Sequence, residues 1–573
     1  VKPIAAERCI ASRELSEPRL APDGEHLLYV RSNQSAAVLV VHSLVHGHLR
    51  TLGEVPGVRA GRGMGGGAWC FSADGRRVVH VGADGNLWSQ SLDGGHSRQL
   101  TDQGSDRGAS TPVASLDGRL VAFTVDTAEV HVLDLEASRT RRVDDGADDF
   151  VLDPSWTTDG WLRWVGWSVP DMPWDHTVER GWHPNGERHS LDHPTAVHQI
   201  RGEWSVSDEL GFVNLWWQRG PFLSEPFEHA GPTWGPGACS YVQSPDGRQL
   251  AFTRNEGGFG RLLVADVASG EVHERARGVH GQLSWVGDRL AALRTGARTP
   301  TQIVVHDTTT WSRAVVAVGP EGEWADEELV EPELVEIDAP DGLVHARLYR
   351  AADDAQKVIV WIHGGPTDQW QVSWMPRIAF WRSRGWHVLV PDHRGSTGHG
   401  RAYQQALRGR WGELDVSDII TVTAWAHAGA LAPVEGTVVM GGSAGGFTAL
   451  GAVAHSPGSF AAAVALYPVT DLIDMAERSH RFERHYTDSL VGPLPESARL
   501  MRERSPLYFA DRLVRTPLLV LHGELDPVVP VDQSRVLVER VRAAGGYAEL
   551  HVYPDEGHGF RQRDHQLDEF HRI

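Results

Sequence analysis

Two textures of hydrophobic and polar positions divide the chain. From residue 15 to about residue 320 a short signal recurs, a turn containing Asp, usually Asp-Gly, followed by an alternating or apolar run of strand length. The instances are "LAPDGEHLLYV" at Asp23, "FSADGRRVVHV" at Asp74, "ASLDGRLVAFTV" at Asp117, "WTTDGWLRWV" at Asp159, "WSVSDELGFV" at Asp208, "SPDGRQLAFTR" at Asp246 and "LSWVGDRLAAL" at Asp288. Asp-Gly supplies the positive-φ turn of a tight hairpin, and a spacing of about 40 to 50 residues is the length of one four-stranded propeller blade. Seven signals predict a seven-bladed β-propeller, although the fifth lacks its glycine and the seventh is permuted to Gly-Asp. A pair of ordinary sandwich sheets would not repeat so regularly.

From about residue 325 the texture changes. "GPEGEWADEELVEPELVEI" is acidic and polar and reads as a linker or the first strand of a new domain. Beyond it come the runs "KVIVWI" (357–362), "HVLVPD" (387–392), "TVVM" (437–440), "AAAVALYP" (461–468), "PLLVLHG" (517–523) and "AELHVYP" (548–554), separated by helical patterns. Strands apolar throughout are covered on both faces, so this half is read as α/β with a doubly wound, mostly parallel sheet. The expected domains are a β-propeller over 1–324, its first residues free to pack on the second domain, and an α/β-hydrolase domain over 325–573.

At 573 residues the chain exceeds one ordinary core, in keeping with two domains. No apolar run approaches the roughly 18 residues of a membrane span, and the N-terminal stretch "VKPIAAERCIASREL" lacks the layout of a secretory signal, so a cytoplasmic protein without membrane partners is expected. Cys9, Cys70 and Cys239 are too few and too far apart for a disulfide framework or a thiolate zinc site. A net charge of −21 with no basic cluster excludes a nucleic-acid footprint. Among the 30 histidines, groups such as His42, His46 and His48 lie in strand-like stretches without HExxH or Cys companions, so neither a metal nor another cofactor is expected. Self-association into a homo-oligomer is left open.

The candidate chemistry sits at "VVMGGSAGGFTALG" (438–451), where Ser443 follows a strand pattern and opens an apolar helix pattern. That is the setting of a nucleophile elbow, whose strained serine needs neighbours with almost no side chain, here Gly441, Gly445 and Gly446. A serine hydroxyl needs a base, and the base needs an acid to hold its tautomer. In α/β-hydrolases the chain order is Ser, acid, His, and Asp526 in "HGELDPVVP" and His558 in "YPDEGHGF" follow in that order. Glu524 and Asp555 are rival acids; Asp526 is preferred because "DPVVP" returns at once to structure. Oxyanion donors are expected from the Ala444 N–H and from the loop "HGGPTDQW", where Gly365 is the choice. His363 and His522, at strand ends, are read as structural.

With these residues in place the chain resembles the prolyl oligopeptidase family of serine peptidases, in its acylaminoacyl-peptidase and dipeptidyl-aminopeptidase-like branch. The likeness rests on "HGGPTDQW", "PDHRGSTGHGRAY", "RWGELDVSD", "GGSAGGFTAL", "HRFERHY", "RSPLYFADR", "LHGELDPVVP" and "DEGHGF", with "VPDMPWD" and "SPDGRQLAFTR" in the first half. It implies a propeller capping the hydrolase domain, so that short peptides reach a cavity between the two. It also implies Ser443, Asp526 and His558 as a triad, Gly365 and Ala444 as the oxyanion hole, and Phe482, Arg484 and Tyr486 beside the pocket for the residue before the scissile bond. Many relatives carry a larger residue where this chain has Ala444, which leaves substrate preference open.

The resulting expectation is a serine peptidase that cleaves short peptides at or near the N-terminus. A dipeptidyl peptidase must hold a free amino terminus with carboxylates, for which Asp171, Asp175 and Glu179 are candidates, whereas an acylaminoacyl peptidase must accept a blocked one. The alternatives are an amide or ester hydrolase of an acylated small molecule and, furthest from these motifs, a non-catalytic interaction protein.

Overall fold

The computed structural model describes residues 2–10, 13–33, 36–61, 64–104, 106–320, 324, 327–352 and 354–573. The chain forms two compact units, one of residues 11–321 and one that joins Val1–Ile10 to Gly322–Ile573. In the linker, residues 321–323, 325 and 326 lie outside the described residues, and with them the expected domain start at residue 325.

Residues 11–321 form a propeller of seven four-stranded antiparallel sheets, with strands spanning 14–52, 69–99, 109–142, 150–192, 197–221, 241–277 and 279–318. Strands inside a blade are apolar on both faces, as in Leu120–Val125, because each blade stacks on the next. Phe123 of the third blade packs with Cys70 and Leu87 of the second, and Phe252 of the sixth with Leu215 of the fifth. The ring closes where Leu15, Leu27 and Tyr29 of the first blade meet Leu293 and Ile303 of the seventh. The Leu20 N–H also donates to Ser284 Oγ across this seam (3.0 Å).

Six of the seven Asp signals turn the first hairpin of a blade. The recurring chemistry is visible at Ser115 and Asp117. Ser115 Oγ donates to Asp117 Oδ1 (2.6 Å) and accepts from the Leu120 N–H (2.9 Å), while the Arg119 N–H donates to Asp117 Oδ1 (3.1 Å). The hydroxyl thus closes the turn that glycine makes possible. The fifth signal is different. Asp208 lies between Trp204–Ser207 and Asn214–Trp217, the second hairpin of its blade, and the first hairpin is turned instead by Gly202 at φ 59°. Arg201-Gly202-Glu203 carries no Asp, which is why the sequence signal slid one hairpin along while the blade count held.

On the innermost strands, Glu17, Thr111, Asp153, Gln199 and Gln282 share a φ of 50–55°, each at a break in strand register. Such bulges turn a polar side chain out of the ladder. Four of these side chains hold the loops that precede the second and sixth blades: Glu17 Oε2 accepts from the Ala68 N–H (3.0 Å), Asp153 Oδ1 from the Gly237 N–H (2.7 Å) and Gln199 Oε1 from the Ser240 N–H (2.8 Å), while Gln282 Nε2 donates to Met64 O (2.7 Å) and Gly237 O (2.8 Å). The Gly66 N–H donates to Pro236 O (2.9 Å). These loops precede the second and sixth blades, which are not neighbours, so they meet across the propeller axis. A Cβ on Gly237 would lie 2.3 Å from Gly66 C, and only glycine permits that crossing.

The other unit is built on an eight-stranded sheet. Its strands are β1 (Glu333–Ala339), β2 (Gly342–Tyr349), β3 (Val358–Ile362), β4 (His387–Asp392), β5 (Thr437–Gly442), β6 (Ala462–Leu466), β7 (Leu518–Gly523) and β8 (Ala548–Tyr553), in the order β1-β2-β4-β3-β5-β6-β7-β8. The β1/β2 and β2/β4 pairs are antiparallel and the rest parallel. The principal helices are α1 (Leu414–Ala428), α2 (Ala444–His455) and α3 (Val531–Ala543), and Ile419, Val422, Leu450, Val453, Leu537 and Val541 from them join Val360, Val439 and Val520 in one core. Residues 2–10 belong here: the Ile4 N–H donates to Ser383 Oγ (3.0 Å) and Arg384 donates to Ile4 O (2.8 Å). Buried charge is paired, Arg347 gripping Asp392 with two hydrogen bonds (2.6 and 2.5 Å) and Arg394 gripping Asp418 (2.5 Å). Among the described residues, no helix is long and apolar enough to cross a membrane.

Candidate active site

The site is assembled at the ends of β3, β5, β7 and β8, where loops leave the carboxyl edge of a parallel sheet. Ser443 lies between β5 and α2 with φ 56° and ψ −123°, a backbone conformation that costs a non-glycine residue on the order of 1–3 kcal/mol and persists only where its surroundings impose it. The imposition is visible. The Ser443 N–H donates to Leu466 O on β6 (2.9 Å), Ser443 O accepts from the Phe447 N–H (3.1 Å), and a Cβ on Gly445 would lie 2.5 Å from the Ile362 and His363 carbonyl oxygens. Glycine at 445 lets α2 start hard against the end of β3.

That approach brings the β3 loop to the serine: a Cβ placed on Gly364 would be 3.5 Å from Ser443 Cβ. Gly365 follows in the left-handed region at φ 121°. Ala444 opens α2, where backbone N–H groups have no partner within the helix and the helix dipole is positive. The β3 loop is held from outside by Tyr486, whose hydroxyl accepts from the Thr367 N–H (3.2 Å) and donates to Thr367 Oγ1. Phe482 is half-buried, whereas Arg484 is exposed and donates to Glu477 O (3.4 Å).

His558, on the loop after β8, hydrogen-bonds through Nδ1 to Asp526 Oδ2 (2.7 Å). Asp526 Oδ1 accepts from the Val528 and Val529 N–H groups (2.8 and 2.9 Å), which fixes the carboxylate, and the His522 Nε2 atom lies 3.4 Å from Oδ2. Burial alone would raise this carboxyl. The imidazoles of His522 and His558 beside it and the backbone donors outweigh it and hold Asp526 well below the usual carboxylate range. It is an ionised acceptor, so Nδ1 of His558 carries the proton and Nε2 the lone pair. The Tyr467 ring meets the His558 ring edge-on at 4.7 Å. The rival acids are elsewhere: Glu524 is exposed and paired with Arg535 (3.3 Å), and Asp555 is exposed in a turn at φ 61°.

The two strand-end histidines are fully engaged. His363 donates through Nδ1 to Gly364 O and accepts at Nε2 from Ser396 Oγ (both 2.7 Å), and burial pushes its pKa down to about 3. His522 bonds Ser534 Oγ (2.8 Å) and Val529 O (3.0 Å). In the propeller, Asp175 accepts from the Met172 N–H (3.0 Å), and Asp171 is half-buried. Glu179 is buried, yet the nearby His193 imidazole (3.9 Å), the Arg163 charge and a hydrogen bond from His189 (3.1 Å) outweigh that burial and take it down to about 2. Among the described residues, no group of three or more His, Cys, Asp or Glu side chains is placed to hold a metal ion.

Residues 370–573 match the prolyl oligopeptidase family. Over 99% of its length the chain also superposes on 95% of a puromycin-hydrolyzing peptidase of Mycobacterium tuberculosis, with a TM-score of 0.90 and 26% identity. The likeness to that family is carried by the hydrolase unit. The dipeptidyl peptidase family member 6 of Caenorhabditis elegans is 31% identical over 42% of this chain and 33% of its own length. The acylamino-acid-releasing enzyme 1 of Oryza sativa subsp. japonica is 30% identical over 37% of this chain and 28% of its own. The matched region spans a third or less of these curated relatives. Two residues near the site escape a motif search. Tyr467, at φ 37°, could be suspected only as the aromatic that directly follows β6, and Glu556 only as the acid inside "DEGHGF".

Proposed function

We propose that the protein is a serine peptidase acting on short peptides at or near their N-terminus, with Ser443 as nucleophile, His558 as general base and Asp526 as its orienting acid. The observation that carries the reading is the 2.7 Å Asp526–His558 bond, which leaves Nε2 of the imidazole as the proton acceptor, at the same sheet edge as a serine in the strained elbow. Ser443 Oγ attacks the scissile carbonyl as its proton passes to His558 Nε2, and ionised Asp526 stabilises the imidazolium. The N–H groups of Ala444 and Gly365 receive the oxyanion. His558 then returns the proton to the leaving amine, and water, deprotonated by the same nitrogen, releases the acyl group. Phe482, Arg484 and Tyr486 border the pocket for the residue before the scissile bond, Tyr486 through its hold on Thr367. Three unpaired cysteines are in keeping with a cytoplasmic setting.

A second reading, an amide hydrolase acting on an aminoacylated small metabolite, is favoured by the nearly full-length likeness to a puromycin-hydrolyzing peptidase. Turnover of matched chromogenic peptides with free and N-acetylated termini, of puromycin and of a simple aryl ester separates the two. Brisk cleavage of peptides supports the first reading, and cleavage of puromycin with peptides left intact would replace it by the second. The Ser443→Ala variant should lose roughly 10⁵–10⁶-fold in kcat on any true substrate. Undiminished turnover in that variant would overturn both.

A further inference from the structure

We propose that Glu556 is a positioning residue for the general base: its buried carboxylate ties off the loop that presents His558 to Asp526. The inference rests on the triad reading above and concerns a residue two positions from the imidazole that makes no contact with reacting atoms.

Glu556 is 2% exposed. Its Oε1 accepts from the Gln562 N–H (2.8 Å), the Arg561 N–H (3.0 Å) and His565 Nδ1 (3.0 Å), and Oε2 also accepts from the Arg561 N–H (3.0 Å). All these donors lie beyond His558, so the carboxylate closes a ring of chain around it. The ring needs closing. The segment between β8 and the helix Arg563–Arg572 has no regular structure, and Gly557 and Gly559 flank the histidine, the second at φ 96°. Glycines allow the sharp path but hold nothing in place. The same residue ties the base to the acid: Glu556 O accepts from the Leu525 N–H (2.9 Å), one residue before Asp526, and Tyr553 O accepts from the Glu524 N–H (2.9 Å). A Cβ on Gly523 would lie 2.5 Å from Glu556 O, which shows how closely the two loops are pressed.

An apolar residue of similar volume would fill the space and leave consecutive backbone donors at 561 and 562 without a partner. The chain would then relax around His558, and a displacement of about 1 Å in a catalytic group costs on the order of 100-fold in rate. Glu556→Ala and Glu556→Asp, the latter keeping the charge and shortening the reach, should lower kcat by about 100-fold while KM stays within about threefold. Glu556→Gln keeps an oxygen at the Oε1 position and should recover to within about tenfold of wild type.

The deciding readout is independent of turnover. The low-field proton resonance of His558 Nδ1–H, identified by its loss in His558→Ala, should be present in wild type and in Glu556→Gln and be broadened or lost in Glu556→Asp and Glu556→Ala. Circular dichroism confirms that each variant is folded, and should the alanine variant not fold, the aspartate and glutamine variants decide. A folded Glu556→Asp with wild-type kcat and an unchanged low-field resonance would overturn the proposal. Failure of the triad reading shows separately, as turnover that survives Ser443→Ala.

Discussion

The two units differ in how far along the chain their characteristic hydrogen bonds reach. In the propeller a short-range arrangement recurs at the hairpin turns: Ser115, Asp117 and Leu120 close one turn among themselves, and Ser244, Asp246 and Gln249 repeat it. In the hydrolase unit the partners come from distant segments, Arg347 with Asp392, Arg377 with Glu569 and Asp526 with His558. A ring of repeats can be stable blade by blade, whereas the catalytic geometry exists only when the whole sheet is in register. Long-range bonds enter the propeller at its closing seam, where the Leu20 N–H meets Ser284 Oγ, and at its axis, where Gly66 and Gly237 meet from non-adjacent blades. Local bonding builds the ring, and long-range bonding builds what must be held in one position.

This contrast can be broken in several places. Asp526→Asn removes a long-range partner while keeping the volume, and leaves His558 with the wrong tautomer; kcat should fall about 10⁴-fold with the fold intact, as read by turnover per folded protein. A loss under tenfold would mean that the bond does not set the tautomer. Arg347→Met leaves Asp392 buried without its guanidinium, and breaking such a pair costs about 3–5 kcal/mol, measurable as a shift in the denaturant midpoint. Asp392 keeps bonds to His399 (2.8 Å) and Gln369 (2.7 Å), but neither carries a fixed charge.

Acid should act first on the ring. Burial holds the imidazoles of His80, His198 and His306 down to about 4 and that of His280 to about 3, so they are neutral in the folded ring. In the unfolded chain they take up protons near pH 6.5. The unfolded state therefore binds more protons between about pH 6.5 and 4, and each histidine removes about 1.4 kcal/mol of stability per pH unit lowered across that window. The hydrolase unit holds His363 in the same state and burial also lowers His345, His387 and His427, though none of these three as strongly, while its Asp392, lowered by Arg347 against the pull of burial, stays ionised throughout. With the intrinsic pH dependence of amide exchange divided out, protection should fall more from pH 7.5 to pH 5 in propeller peptides than in sheet peptides, and an equal fall would contradict the comparison. The smallest effect belongs to a single turn: Ser115→Ala should cost about 1 kcal/mol in thermal unfolding, confined to its blade.

The same difference explains what could be read from the chain. The Asp-Gly turns are short-range chemistry, so six of seven marked first hairpins, and the slip at Asp208 came where Gly202 turns a hairpin without an acid. The six apolar runs coincide with β3 to β8: the inner strands are covered on both faces and nearly free of polar gaps, and the edge strand β8 keeps its apolar residues in alternation with Glu549 and His551. β2 was not legible, since "GLVHARLY" interrupts its apolar positions with His345 and Arg347, whose partners lie across the sheet. At the site, Ser443, Asp526 and His558 stand out because elbow, acid and base each carry a local signature in a fixed order. Glu556 and Tyr467 do not, because their roles are defined only by what folding brings against them.

The most direct test of the central claim is the stoichiometry and location of a fluorophosphonate adduct, mapped by mass spectrometry in wild type and in His558→Ala. One adduct per chain on Ser443, lost or slowed by several orders of magnitude without the imidazole, is the predicted result. An adduct on another residue, or labelling of Ser443 at an undiminished rate in His558→Ala, would contradict it.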